Sequence, residues 1–301
     1  MGKNESFWWK DKIEITKKEV IGMPYARIGN TDFSVENIDI YYEIHGLSDT
    51  PPLVLIGGWA SYRWIWFRQI PTFKEKYRCV VFDNRGAGKS SKPDYPYTIE
   101  MMAADTVGLM DALEIETTHI LGISMGGLIA QQIAISYPEK VRSLILTSTH
   151  FGGSNYVPMD DKTMALLIAL PTETISVEQA REMRYRATFS PQFLQENSSV
   201  IEQIDVWAEK HPTPLYAQVH QSTATSKFDS ELELSRITAP TLILHGDNDR
   251  AVPTKNGELL AERIPNSKLK IIEGASHFVI IEKYEEFNQE VMNFIDEVEK
   301  G

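Results

Sequence analysis

The chain has 301 residues, 42% hydrophobic and 24% charged, a balance that suits one or two globular domains and excludes a disordered chain, a collagen or a coiled coil. Its 30 basic and 42 acidic residues leave a formal net charge of −12, which repels phosphate backbones and anionic lipid and argues against nucleic acid as a partner. No apolar run reaches the roughly 18 residues that cross a bilayer, so no stable membrane insertion is expected.

The start, MGKNESFWWKDK, lacks the apolar core of a signal peptide. It formally matches the N-myristoylation pattern through Gly2 and Ser6, a short pattern that recurs by chance. The stretch reads as a frayed end with Phe7, Trp8 and Trp9 packing locally. Ile38, Ile40, Tyr42 and Ile44 then alternate with polar neighbours, the period of a half-buried strand at an antiparallel entry. After it the pattern changes to short continuous apolar runs: Leu53 to Ile56, Cys79 to Phe82, Ile120 to Ile123, Leu144 to Leu146, Leu242 to Leu244 and Leu269 to Ile272. Such runs mean burial on both faces, as in a parallel sheet covered by helices. Cys79, the single cysteine, reads as a packing thiol, and with no disulfide available a reducing, cytoplasmic location is expected.

Helical periodicity is visible at Ile99, Met102, Ala103, Thr106, Met110 and Leu113, and again at Phe287, Val291, Phe294, Ile295 and Val298. The alternation of strands and helices predicts an α/β fold with right-handed crossovers. It breaks between residues 151 and 234, where helix-like pieces run from Asp160 to Leu170, Val177 to Ala187 and Pro191 to Glu209 between prolines. The expected organisation is a core of residues 1–150 and 235–301 with a helical cap inserted at 151–234. Oligomeric state is not readable from this pattern.

Chemistry enters at Gly122-Ile123-Ser124-Met125-Gly126, a G-x-S-x-G between a buried strand and a helix. That context is the nucleophile elbow, a sharp turn that raises a serine at a helix N-terminus, where the dipole favours a developing oxyanion. A serine hydroxyl needs a base and an acid that orients it. On this scaffold they follow in the order acid, then His. The strand ending at Leu244 leads to Gly246-Asp247-Asn248-Asp249, and the next leads to Gly274-Ala275-Ser276-His277. His277 is the candidate base, and Asp247 and Asp249 are the candidate acids.

These motifs, with Gly57-Gly58-Trp59 and Phe82-Asp83-Asn84-Arg85-Gly86-Ala87-Gly88-Lys89-Ser90, resemble those of the α/β-hydrolase-fold superfamily, its serine esterase and lactonase-like branch. The likeness runs from about Ile38 to Phe151 and from about Leu234 to the end. It implies a mostly parallel, doubly wound sheet with an inserted helical cap. It also implies a triad of Ser124, Asp249 and His277, since the family uses the second Asp of G-D-x-D, and an oxyanion hole from the backbone N–H groups of Trp59 and Met125. Many relatives carry His-Gly where this chain has Gly57-Gly58, which leaves the N–H donor in place but removes an imidazole. No cofactor or metal is implied, and the seven histidines show no close metal-ligand spacing. Gly86 to Ser90 fails the Walker pattern at Asp83 and the dinucleotide pattern at Ser91, so it reads as a structural turn.

Trp59, His150 and Phe151 are the expected substrate contacts. Trp64 and Phe67 read as core, and Met159, Met164, Leu167, Phe189 and Trp207 as packing or an apolar acyl site. Ser124 excludes the alkyl-enzyme chemistry of relatives with Asp at the elbow. The expected activity is cleavage of a carboxylic ester of a small to medium, largely apolar substrate through an acyl-enzyme. Enol-lactone hydrolysis uses the same machinery. Carbon–carbon hydrolysis is disfavoured by Gly122 and by Gly58-Trp59-Ala60, where that branch carries other residues. A ligand receptor or weakly catalytic binding protein on the same fold is the alternative from another class.

Overall fold

Among residues 24–29 and 37–300, which the computed structural model describes, eight strands form one sheet in the order β1-β2-β4-β3-β5-β6-β7-β8. The readings made for Gly2, Ser6, Phe7, Trp8 and Trp9 concern residues outside that range. The strands are β1 (Tyr25–Ile28), β2 (Ile38–His45), β3 (Pro52–Ile56), β4 (Arg78–Phe82), β5 (Thr118–Ile123), β6 (Val141–Thr147), β7 (Thr241–Gly246) and β8 (Ser267–Ile272). β1 and β2 enter antiparallel, and β2 pairs antiparallel with β4. Every pairing among β3 to β8 is parallel.

The apolar runs become the central strands because both of their faces are covered. β5 is buried at all six positions. Successive side chains of a strand point to opposite faces. So Val54 and Ile56 join the cluster under α2 (Ile99–Ala112) and α3 (Met125–Ser136), while Leu53 and Leu55 join the cluster under α1 (Ile70–Phe73) and the C-terminal α11 (Tyr284–Lys300). Thr98 starts α2 by accepting from the Met101 N–H at 3.2 Å. Cys79 is fully buried, and burial pushes its thiol up to about 12, as its packing role requires.

Between β6 and β7 lie α4 (Asp161–Leu167), α5 (Val177–Thr188), α6 (Pro191–Glu196), α7 (Ser198–Lys210) and α8 (Leu215–Lys227). Ser176 and Gln179 close a full capping box at α5, and Ser190 caps α6 with Pro191 in its first turn. The stretch Pro191 to Glu209, expected as one piece, breaks at Asn197, and α8 has no counterpart in the sequence reading. The two ends of this region meet at a short antiparallel bridge, Gly152 with Asp229. At φ 74° and with a would-be Cβ only 1.8 Å from the Phe228 carbonyl oxygen, position 152 admits only glycine. The helices lie over the carboxyl ends of the strands. Trp207 of α7 packs on Trp64 and Phe67, Tyr216 of α8 donates to the Lys92 carbonyl at 2.9 Å, and Phe189 after α5 packs on Phe278. The remaining helices are α9 (Lys255–Arg263), between β7 and β8, and α10 (Val279–Glu282).

Candidate active site

Ser124 occupies the turn from β5 into α3 at φ 55° and ψ −121°, a conformation that costs on the order of 1–3 kcal/mol for a residue with a side chain. The surroundings enforce it. The Ser124 N–H donates to the Thr147 carbonyl at 2.9 Å, and the Thr149 hydroxyl donates to the Ser124 carbonyl at 2.8 Å. Only glycine fits on either side: a Cβ at 122 would stand 2.2 Å from the Gly126 carbonyl oxygen, and one at 126 would stand 2.1 Å from that of Ile56. Ser124 is partly accessible in an otherwise buried elbow.

The loop after β7 supplies a buried carboxylate. Asp249 Oδ1 accepts from the Val252 N–H at 2.8 Å, and Asp249 Oδ2 lies 2.9 Å from His277 Nδ1. Of the two candidate acids, Asp249 meets the histidine. Asp247 is exposed and accepts from the Gly274 N–H at 2.8 Å, which ties the acid loop to the histidine loop. Burial works to raise the Asp249 pKa, but the positive charge available at His277 and the hydrogen bonds of His245 and His277 outweigh it and hold the carboxyl below the ordinary carboxylate range.

His245, near the end of β7, is a further neighbour of this pair. It is fully buried, its Nε2 lies 2.9 Å from the Val252 carbonyl and 3.4 Å from Asp249 Oδ2, and a carbonyl only accepts. Nε2 therefore carries the proton. Nδ1 is buried with no hydrogen-bond partner among the described residues. Four-residue spacing from Asp249 is its only trace in the sequence.

The loop after β3 passes close to the serine: a Cβ on Gly58 would stand 3.3 Å from Ser124 Cβ. Asn84 Nδ2 donates to the Gly57 carbonyl at 3.0 Å and the Ser61 hydroxyl to that of Gly58 at 3.0 Å. Neither the Trp59 nor the Met125 N–H has an acceptor among the described residues. The Trp59 indole N–H donates to the Gln218 carbonyl at 2.9 Å. The Gly86 to Ser90 turn wraps Asp83: the Lys89 N–H donates to Asp83 Oδ2 at 2.8 Å, which fills the concavity a phosphate would need.

His150 stacks on Tyr156 at 4.6 Å, and its Nδ1 accepts from the Gly152 N–H at 3.0 Å. Nε2 thus carries the proton of the neutral ring. Burial, helped by His245 and His277, pushes its pKa down to about 4. The residue is nevertheless partly accessible.

Phe151 is also an expected substrate contact. It is fully buried in the core with the Arg263 guanidinium 4.8 Å from its ring centre, and Arg263 ends α9 just before β8 begins. Trp207 fills the gap between Trp64 and Phe67, while Met164 is exposed. Among the described residues no group of His, Cys, Asp and Glu is arranged to hold a metal ion, and no helix is long and apolar enough to cross a membrane.

Comparison with known proteins gives a family match over residues 51–284, to the alpha/beta hydrolase fold. The chain is 30% identical to the putative carbamate hydrolase RutD of Stutzerimonas stutzeri, over 86% of this chain and 97% of the relative. It is 32% identical to 2-hydroxy-6-oxo-6-phenylhexa-2,4-dienoate hydrolase of Comamonas testosteroni, over 79% of this chain and 83% of the relative. Among solved structures, the enol-lactonase from Burkholderia xenovorans LB400 superposes with a TM-score of 0.77 at 25% identity, covering 91% of this chain and all of that one.

Proposed function

The chain belongs to the alpha/beta hydrolase fold family, and within it we propose a serine hydrolase that cleaves the carboxylic ester of a small to medium, largely apolar substrate. The observation that carries this reading is the strained Ser124 at the strand-to-helix turn, at the same sheet edge as the buried His277–Asp249 pair.

Roles follow from which atoms are already engaged. His277 Nδ1 faces Asp249, so Nε2 is the nitrogen left to take the Ser124 proton. The hydroxyl oxygen attacks the ester carbonyl as the proton moves. The oxyanion forms between the N–H groups of Trp59 and Met125, each donor of this kind contributing about a hundredfold or more in rate. The alcohol departs with the proton from His277, and water, deprotonated by the same nitrogen, releases the acid. Asp249 stays ionised throughout, because its hydrogen bonds favour the charged form. The α4 to α8 region acts as the cap that encloses the substrate, and Trp59 and His150 touch it. His150 contributes a neutral N–H donor rather than a charge. The substrate is a small molecule met in the cytoplasm.

A second reading is supported by the likeness to the enol-lactonase: a lactone is a cyclic ester, opened by the same steps. A panel of p-nitrophenyl esters from short to long acyl chains, run beside lactones and ring-cleavage products, separates these readings with Ser124→Ala as control. Fast ester turnover that the variant loses establishes the esterase. Turnover confined to lactones or to ring-cleavage products moves the assignment to that class. A single slow turnover that leaves a fragment on the protein marks a receptor and overturns the proposal.

A further inference from the structure

We infer that α8 completes the oxyanion hole, with Gln221 as the positioning residue that fixes the Trp59 N–H, an inference that rests on the serine hydrolase reading. Gln221 is fully buried, and both ends of its carboxamide bond to loops distant in sequence. Its Oε1 accepts from the Ala60 N–H at 2.9 Å, and its Nε2 donates to the Arg85 carbonyl at 2.9 Å.

The first of these bonds falls one residue beyond the oxyanion donor. Ala60 sits at φ 55°, a left-handed conformation that alanine adopts only when its neighbours impose it. Both of its peptide groups are held from the α8 side: the N–H by Gln221, and the carbonyl by the Thr213 hydroxyl at 3.2 Å. Thr213 is itself tied to α8, since Gln218 Nε2 donates to its carbonyl at 2.7 Å. The Trp59 indole reaches the same helix through the Gln218 carbonyl. Trp59 is therefore pinned through its ring and through the peptide that follows it. On its other side is Gly58, the residue with the widest backbone freedom, pressed against Ser124. The Ser61 hydroxyl holds the Gly58 carbonyl at the other end of the same peptide, and the α8 contacts fix the Trp59 ring and the peptide that follows, so that together they keep the Trp59 N–H aimed at the reacting carbonyl.

The second bond gives Gln221 a rigid base. Arg85 makes a bidentate pair with Asp105 of α2, both bonds at 2.6 Å and both side chains buried. Gln221 thus bridges a fixed part of the core and the loop that carries the donor. An oxyanion donor displaced by about 1 Å loses most of its value in the transition state while leaving ground-state binding nearly intact.

The test compares wild type, Ser124→Ala, Gln221→Met and Trp59→Phe on p-nitrophenyl acetate, with a boronic acid as transition-state mimic and thermal melting as a check on folding. Gln221→Met keeps the side-chain length but loses both hydrogen bonds. It is expected to lower kcat at least about tenfold with KM within about twofold, and to weaken the boronic acid by the same factor as kcat. Trp59→Phe keeps an aromatic ring on the loop but cuts the Gln218 contact, and is expected to lower kcat several-fold in the same manner. It answers the question alone if Gln221→Met does not fold. Wild-type kcat in the folded variants overturns the inference and leaves the hydrolase reading standing. So does a loss that raises KM and lowers kcat while the boronic acid binds as before, since that marks α8 as a docking helix only. A wild type no faster than Ser124→Ala on every ester, lactone and ring-cleavage product of the panel overturns the hydrolase reading and this inference with it.

Discussion

Position 126 has no room for a side chain: a Cβ there would meet the Ile56 carbonyl oxygen at 2.1 Å and that of Gly57 at 2.8 Å. Backbone cannot yield as a flexible side chain can. Gly126→Ala should therefore destabilise the protein by about 2–3 kcal/mol and misplace Ser124, measured by chemical denaturation beside ester turnover. An unchanged midpoint would mean that the elbow is looser than these contacts require. In α9, Gly257 lies against His245, with a would-be Cβ 2.9 Å from its Nδ1. The residues of the proposed reaction were legible because their types are rare at those places: a serine between glycines, a carboxylate and a histidine each just past a buried strand. His245 and Gln221 were not legible. Each acts on a group that only the fold brings near, and neither a buried histidine nor a buried glutamine leaves a pattern in the chain.

The helices over the sheet edge differ in how they are held. Trp207 of α7 packs 4.9 Å from Phe67 and 6.0 Å from Trp64 between ring centres, and Tyr62 donates from its hydroxyl to the Trp207 carbonyl. Trp207→Ala should cost about 2–3 kcal/mol, below the value for a fully buried tryptophan because the ring is only half-buried, and should speed amide exchange in α7 before the sheet. Exchange that rises equally in β5 would show that α7 and the core open as one unit. The sequence pattern found α4, α5 and the α6–α7 stretch but not α8, for a physical reason. The inward positions of α8 are Ala217, Gln221 and Ala224, while Leu215, Tyr216 and Val219 face outward. The helical period is present, but small and polar residues mark it, the inverse of an amphipathic surface helix. Pro214 and the Thr-rich second half further weaken its signal.

At the scale of the whole molecule, the parallel sheet could be read because burial on both faces leaves continuous apolar runs. The Gly152–Asp229 bridge could not, because it is made by polar and glycine residues that resemble any loop. Two buried histidines link the fold to pH. Burial pushes both His119 and His150 down to about 4, against about 6.5 for an unfolded histidine. Below that unfolded value the unfolded chain binds protons that the folded chain refuses, so stability is full above about pH 6.5 and is lost as pH falls towards 4. Each group contributes on the order of 3 kcal/mol at most over that window. The melting temperature should fall between pH 7 and pH 4.5, and less steeply in His150→Asn. A melting temperature flat over that range would show that these rings are not buried neutral. His119 lies at the far end of β5 from the elbow, with Nδ1 2.8 Å from the Ser143 hydroxyl, so its share of the effect is independent of catalysis.

The central claim is that Ser124 is made nucleophilic by the His277–Asp249 pair. Intact-mass measurement after exposure to a fluorophosphonate tests it without knowledge of the substrate. The expected result is one adduct per chain, on Ser124, absent in Ser124→Ala and formed at least about a hundredfold more slowly in His277→Ala. A wild type that stays unlabelled, or one labelled at the same rate with His277 replaced, would contradict it.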